Sequence, residues 1–503
     1  MVTELHTPDQ AARWLHGRVR GTLQTDSRKL GAGDGFIAWP GAARDGRQFV
    51  SSALAQGASA CLVERDGAEP FAFADERIAA YLGLKAASGP IAAAYYEQPS
   101  RHIEVLAVTG TNGKTSTSWW LAQALSVLQP SRPCGLIGTL GVGRVPVPGS
   151  SPHASVVSTG LTTPDPVLLQ QTLRRFADEG LFACAIEASS IGIAERRLDG
   201  TRIRTAIFTN FTQDHLDYHG TMDAYWQAKA ALFDWPDLRA AVINLDDPRG
   251  AELAQKLGSR ALDLWTVSLR ADAGARLYAQ DIRMGARGVQ FLVCEGAERV
   301  PLTTQTLGDY NVSNLLGVIA TLRSLDVSLV EAVLACHALQ PVPGRMEFQG
   351  GDGLPLAVVD YAHTPDALAQ VLQALQPLAR QRGGRLWCVF GCGGDRDPHK
   401  RPLMGAAAAT HADQVLLTSD NPRSEDPDAI LAQVRAGALA ADVEPDRARA
   451  IARALARADV CDVVLVAGKG HEDYQETAGV RVPFSDREHV RLALHARSAG
   501  VPA

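Results

Sequence analysis

Short, almost continuously apolar stretches recur along the chain: "IEVLAVT" (103–109), "FACAIEAS" (182–189), "TAIFTN" (205–210) and "AAVINL" (240–245), then "LAVVDYA" (356–362), "LWCVFG" (386–391), "QVLLTS" (414–419) and "DVVLVAG" (462–468). Longer segments of helical length, such as "TSTSWWLAQALSVL" (115–128), stand between them. A strand that is apolar on both faces has no wet side. Its repeated alternation with helices therefore predicts parallel sheets covered on both faces, an α/β protein. The pattern breaks at "EQPSR" around Pro99, and again at "PVPGRMEF" (341–348), where two prolines and a glycine interrupt it. Three segments follow: 1–98, 99–340 and 341–503.

At 503 residues the chain is too long for one ordinary core, and 46% hydrophobic with 21% charged residues is a globular make-up. The net charge of −6 gives no general attraction to nucleic acid or to an anionic membrane. The start, "MVTELHTPDQAARWLHG", lacks the apolar segment of a secretory signal, and no run of about 18 apolar residues occurs. A cytoplasmic monomer is expected, with neither nucleic acid nor membrane as partner. The eight cysteines form no C-x-x-C pair, and the closest two, Cys388 and Cys392, read as packing thiols.

The strongest chemical signal is "AVTGTNGKTSTSWW". A strand ending at Thr109 and a helix beginning near Lys114 enclose Gly110, Thr111, Asn112 and Gly113, so backbone N–H groups and a helix N-terminus can cradle phosphates. Lys114 would reach the β- and γ-phosphates, Ser116 follows in the same turn, and the Thr115 hydroxyl is placed to take Mg²⁺. The G-x-x-x-x-G-K-[ST] pattern is not met, because its first glycine would fall on Val108.

The compact "GTNGKTS" loop resembles that of the Mur ligases of peptidoglycan synthesis and their folylpolyglutamate synthetase cousins. The resemblance runs in order through "DSRK", "LTTPDP", "EASS", "TNFTQDHLDYHG", "YWQAKAALF", "GDYNVSNLLG", "PVPGRME", "DYAHTPDAL", "GCGGDRDPHKRPLM", "DNPR" and "GKGHED", almost the whole chain. It implies three domains: a small N-terminal α/β domain for the UDP end of a substrate, a central P-loop domain with a parallel sheet, and a C-terminal Rossmann-like α/β domain for the incoming amino acid. It also implies ATP and Mg²⁺ as cofactors and an acyl phosphate intermediate.

Residue roles follow from the same resemblance. Glu187 and His215 would lie at the metal and phosphates, and Lys229 would be carbamylated, which turns a cation into a carboxylate-like ligand. Asn311, Arg345, Asp360 and His363 would contact the nucleotide. Thr25, Ser27 and the run Ala42, Ala43, Arg44 would hold the UDP portion; Thr162, Thr163, Ser189, Glu195 and Arg197 would hold the acceptor peptide. Leu161, Ile191 and Glu195 stand where relatives often carry Asn, His and Gln.

In the family that the chain resembles, "DNPR" (420–423) marks the branch that adds meso-diaminopimelate to UDP-N-acetylmuramoyl-L-alanyl-D-glutamate, where the lysine-adding branch departs at the arginine. The two amino acids differ by one distal carboxylate, which a planar, two-pronged guanidinium recognises. Asp420, Asn421 and Pro422 would shape the loop, Arg423 and Arg396 would clamp the carboxylate, and Gly468 and Glu472 would accept around the distal amino group. The alternatives are an L-lysine-adding ligase, a folylpolyglutamate synthetase-like ligase and a non-catalytic nucleotide-binding module.

Overall fold

The computed structural model describes residues 2–41, 44–147, 155–285 and 288–499. The chain packs as two compact units: 1–109, 125–207 and 228–241 form the first, and 110–124, 208–227 and 242–503 the second.

In the first unit a five-stranded sheet follows the order Thr3–Leu5, Ile78–Tyr81, Ala60–Glu64, Gly35–Ala38, Leu23–Gln24, with every pairing parallel. Residues such as Leu62, Ile37 and Leu15 close its core. The same unit holds Ala183–Glu187 between Glu104–Thr109 and Cys134–Gly138, all parallel and, from Val105 on, all buried, as unbroken apolar runs require. Two antiparallel strands, Gly141–Arg144 and Val156–Val157, extend the edge.

In the second unit the six-stranded sheet has the order Glu347–Gly350, Leu356–Asp360, Val463–Ala467, Leu386–Phe390, Gln414–Leu417, Asp442–Val443. Its first pair is antiparallel and the rest are parallel. Asp360 and Phe390 both pair with Ala467, and Phe390 with Leu417, so four neighbouring strands end at one level. The loops that leave them therefore converge, the usual place for a site in an open parallel sheet.

The apolar runs do not announce one feature of this unit. Leu277–Gly285, Gly288–Glu295 and Glu298–Thr304 form an antiparallel meander whose residues largely alternate between buried and exposed. A strand with one wet face loses half its apolar residues, so it escapes a search for continuous runs.

Candidate active site

The phosphate loop folds as its sequence implies. The strand Glu104–Thr109 leads into the loop, and the helix Lys114–Leu128 leaves it. Gly113 has φ +85°, and a Cβ there would come within 2.4 Å of Asn314 Oδ1, so a side chain is excluded by both backbone and neighbour. Within the second unit the loop is fastened on several sides: Asn112 N–H donates to Asn210 Oδ1 at 2.9 Å, and Thr111 Oγ1 donates to the Thr212 carbonyl at 3.0 Å. The Lys114 ammonium donates to the carbonyls of Gly110 and Thr111 at 2.8 and 2.7 Å, curled over the loop it would share with a phosphate.

Residues from the C-terminal segment reach the same loop. Arg345 donates to Thr115 Oγ1 at 3.3 Å and lies over the Tyr361 ring, 4.2 Å from its centre. Asn112 donates to Asp366 at 3.2 Å. Asn311 is buried, with its amide on the Leu307 carbonyl, and together with Ser116, Trp120, Gln340 and Arg345 it lines a narrow recess beside the loop. Asp360 accepts the N–H groups of Met346 and Ala362, both at 2.8 Å, and so anchors the turn that carries Arg345.

His215 and His363 are gathered around Asp214, a residue that carries no motif of its own. Asp214 is buried, with His215 Nε2 at 3.5 Å, His363 Nε2 at 3.7 Å and Lys400 Nζ at 3.6 Å. Burial by itself would raise the Asp214 carboxyl. The His363 ring and the charges of Lys400 and His215 more than offset it and hold the carboxyl well below its usual range. An anion fixed among three basic groups orients them at the edge of the phosphate loop.

In the first unit Glu187 ends its strand only 1% exposed, taking a hydrogen bond from Thr139 N at 2.8 Å and one from Thr139 Oγ1 at 3.1 Å. Thr162 joins through Thr139 Oγ1 at 3.0 Å. Thr163 Oγ1 donates to the Glu187 carbonyl at 2.7 Å and meets Ser189 Oγ at 3.0 Å, and Arg197 donates to the Thr163 carbonyl at 2.9 Å. Glu195 pairs with Lys85 at 2.6 Å, while Leu161 is exposed. Lys229, at the end of the helix Met222–Ala230, is 1% exposed, so it is not the solvated lysine that its surroundings in sequence suggest. Thr25 is half-buried in the turn after Leu23–Gln24, Ser27 opens a short 3₁₀ turn, and Arg44 is exposed; Ala42 and Ala43 lie outside the described residues. Among the described residues no group of three or more His, Cys, Asp and Glu converges as a metal cage.

At the carboxyl edge of the six-stranded sheet, "GCGGDR", "DNPR" and "GKGHED" leave three adjacent strands. Arg423 has φ +52° and is held there by its N–H on Glu476 O at 3.0 Å and by Ala478 N–H on its own carbonyl at 2.6 Å. Its Nη1 donates to Gly394 O at 2.6 Å, and Arg396 donates to Asp395 O at 3.2 Å, so the two arginines flank Gly393. Pro422, next to Arg423, is buried. Gly468, at φ +113°, leaves room for Asp420, whose Oδ2 would lie 2.5 Å from any Cβ.

Two supports here carry no signal in the sequence. Lys469 is fully buried, with Nζ 3.0 Å from both Asn421 Oδ1 and Glu472 Oε2, and Asn421 donates to that same Glu472 oxygen at 2.8 Å. Arg401, also buried, forks onto Glu425 at 2.7 and 2.8 Å and donates to the Gly393 carbonyl. By type and spacing both are ordinary surface cations, and only the fold buries them.

Residues 22–96, 108–322 and 344–470 match, in that order, the Mur ligase family catalytic domain, the Mur ligase middle domain and the Mur ligase glutamate ligase domain. A protein of Acidovorax sp. (strain JS42) named UDP-N-acetylmuramoyl-L-alanyl-D-glutamate--2,6-diaminopimelate ligase is 60% identical over 505 residues, 99% of each chain. The chain belongs to the Mur ligase family. A solved structure of a ligase with the same name is similar at TM-score 0.63 and 36% identity over 95% of both chains. The MurF ligase of Thermotoga maritima, in complex with ADP, shares the fold at TM-score 0.66 and 18% identity, over 95% of this chain and 98% of that one. The Mur ligase architecture is the expected one: an N-terminal parallel-sheet domain, a central nucleotide-binding domain and a C-terminal domain, α/β throughout.

Proposed function

We propose that this Mur ligase joins meso-2,6-diaminopimelate to UDP-N-acetylmuramoyl-L-alanyl-D-glutamate using ATP, giving ADP, phosphate and the UDP-linked tripeptide of the cell-wall precursor. The observation that carries the reading is the pair Arg423 and Arg396 flanking Gly393, beside the Asn421–Lys469–Glu472 cluster, in a chain 60% identical to a ligase of that name. The domain boundaries we assign are 1–98 for the UDP end, 99–340 for ATP and 341–503 for the amino acid.

A carboxylate and an amine do not condense unaided in water. A substrate carboxylate oxygen attacks the γ-phosphorus as the bond to ADP breaks, and the amine nitrogen then attacks the acyl carbon, losing its proton as phosphate leaves. Both steps concentrate negative charge, which pre-set cations and N–H groups stabilise. The loop from Gly110 to Ser116 holds the phosphates by backbone N–H groups, with Lys114 as the cation. Asn311 from the central segment, Arg345 at the junction and Asp360 and His363 from the C-terminal segment line the nucleotide, and Asp214 keeps His215 and His363 oriented.

Mg²⁺ fits the donor chemistry: the Thr115 hydroxyl and the Glu187 carboxylate are hard oxygen donors that suit an ion sharing its shell with phosphates and water. Lys229 would add a third oxygen donor as a carbamate, and His215 would stand beside the ion, whose contribution is to neutralise phosphate charge. Thr25, Ser27 and the run Ala42, Ala43, Arg44 take the uridine diphosphate end, and Thr162, Thr163, Ser189, Glu195 and Arg197 the peptide. The distal carboxylate of diaminopimelate meets Arg423 and Arg396, and its ammonium meets Glu472 near Gly468.

The test is phosphate release from ATP in the presence of the UDP-dipeptide, with meso-diaminopimelate or L-lysine as the second substrate. Release should require both substrates and favour diaminopimelate by about 10⁴-fold, because a buried polar site rejects a substrate that leaves its charges unpaired. Preference for lysine sinks the assignment, and release without either substrate points to a nucleotide-binding module.

A further inference from the structure

Five arginines converge on one recess in the first unit, at the amino-terminal edge of the central strands. Arg101, Arg132, Arg202, Arg204 and Arg239 line a cavity of about 160 Å³, together with His102, Ser100 and one carboxylate, Glu104. Each comes from the entry to a strand: Arg101 and His102 precede Glu104–Thr109, Arg132 precedes Cys134–Gly138, Arg202 and Arg204 precede Thr205–Phe208, and Arg239 precedes Ala240–Asn244.

The backbones are fixed by the sheet and its turns. Arg204 N–H donates to Val105 O, Arg239 N–H to Arg204 O and Arg202 N–H to Ser100 Oγ, each at 2.9 Å. Glu104 pairs with Arg204 at 3.1 Å, one negative charge against five positive ones. Arg202 and Arg204 are half-buried, where like charges repel more strongly than in open water. In a chain of net charge −6, this concentration is local and not a property of the surface as a whole.

We propose that this recess is a binding site for a small phosphoanion of the diphosphate class. Guanidinium forks match phosphate oxygens two at a time, and five of them from four strand entries surround a volume larger than one phosphate. The site is separate from the nucleotide loop: the strand that begins at Glu104 reaches Thr109 only about 17 Å further on.

Inorganic pyrophosphate titrated into the magnesium-free protein at low salt, followed calorimetrically, tests this in the wild type and in the double variant Arg202→Gln/Arg239→Gln. Binding at the nucleotide loop is common to both and cancels in the comparison. One binding event should weaken at least about tenfold in the double variant and fall with added salt, while ligase turnover without pyrophosphate stays within about twofold. If the double variant does not fold, the exposed single change Arg132→Gln carries the test, with weakening of about threefold. Identical isotherms in wild type and variants overturn the proposal, as does binding of anionic phospholipid vesicles without binding of pyrophosphate.

Discussion

Lys469 Nζ lies 3.0 Å from Asn421 Oδ1 with its whole side chain out of solvent. The contact joins the turn after Val463–Ala467 to the turn after Gln414–Leu417, and Glu472 closes it from the side. A buried ammonium must be paired, so this cluster sets the distance between the two turns that frame the proposed amino-acid pocket. Lys469→Met should raise the KM for diaminopimelate at least about tenfold and leave the KM for ATP within about twofold. Asn421→Ala in the same background should add little, because the two residues act as one unit. Equal effects on both substrates would mean a general loss of structure.

Arg423→Lys keeps the charge and removes the planar fork. If Arg423 clamps a carboxylate, kcat/KM for diaminopimelate should fall by about 10²-fold, with ATP binding unchanged. Steady-state kinetics with each substrate varied in turn checks this. Near-normal kinetics would reduce Arg423 to a turn residue that caps Gly394.

His471 gives a pH dependence with a definite sign. Burial, reinforced by Arg345, Arg487 and Lys469, pulls its imidazole down to about 3. The folded protein therefore keeps His471 neutral where the unfolded chain, at an ordinary value near 6.5, takes up a proton. Its contribution to stability is complete above about pH 6.5 and declines as pH falls toward 3, with a slope of up to about 1.4 kcal/mol per pH unit. Urea midpoints at pH 7.5 and 5.5 should differ less in His471→Asn than in the wild type.

Arg447 and Asp486 form a forked pair at 2.7 Å with both side chains fully buried, and Arg447 also donates to the carbonyls of Ala467 and Ser419. Those carbonyls immediately precede Gly468 and Asp420, so the pair braces the same two turns from below. Arg447→Met leaves Asp486 without its partner and should cost about 3–5 kcal/mol in chemical denaturation. The double change with Asp486→Leu should recover part of that loss.

Lys229→Ala should abolish most ligase activity, and short-chain carboxylic acids should restore a measurable part of it if a carbamate normally supplies the anion. Full activity in Lys229→Ala would remove the carbamate from the mechanism.

Much of the fold was legible in the order of the residues. Unbroken apolar runs gave Glu104–Thr109, Ala183–Glu187 and the central strands of the six-stranded sheet, though not the parallel sheet of the first 98 residues, and the glycines with Lys114 gave the loop between Thr109 and the helix. The meander from Leu277 to Thr304 was not legible, because alternating strands resemble polar connections when read for continuous apolarity. Asp214 was overlooked beside His215 for a related reason: its importance lies in Lys400 and His363, which are remote in sequence.

The sequence by itself determined which residues could do chemistry: the phosphate loop follows from residue type and close spacing, while Glu187 and the arginine in "DNPR" stand out through the family resemblance of their motifs. The tertiary structure decided which cations are partners and which are surface. Lys469, Arg401 and Arg447 have the composition of solvated side chains. Only the tertiary packing of strand ends and helix starts brings Asn421, Glu425 and Asp486 to them and takes the water away.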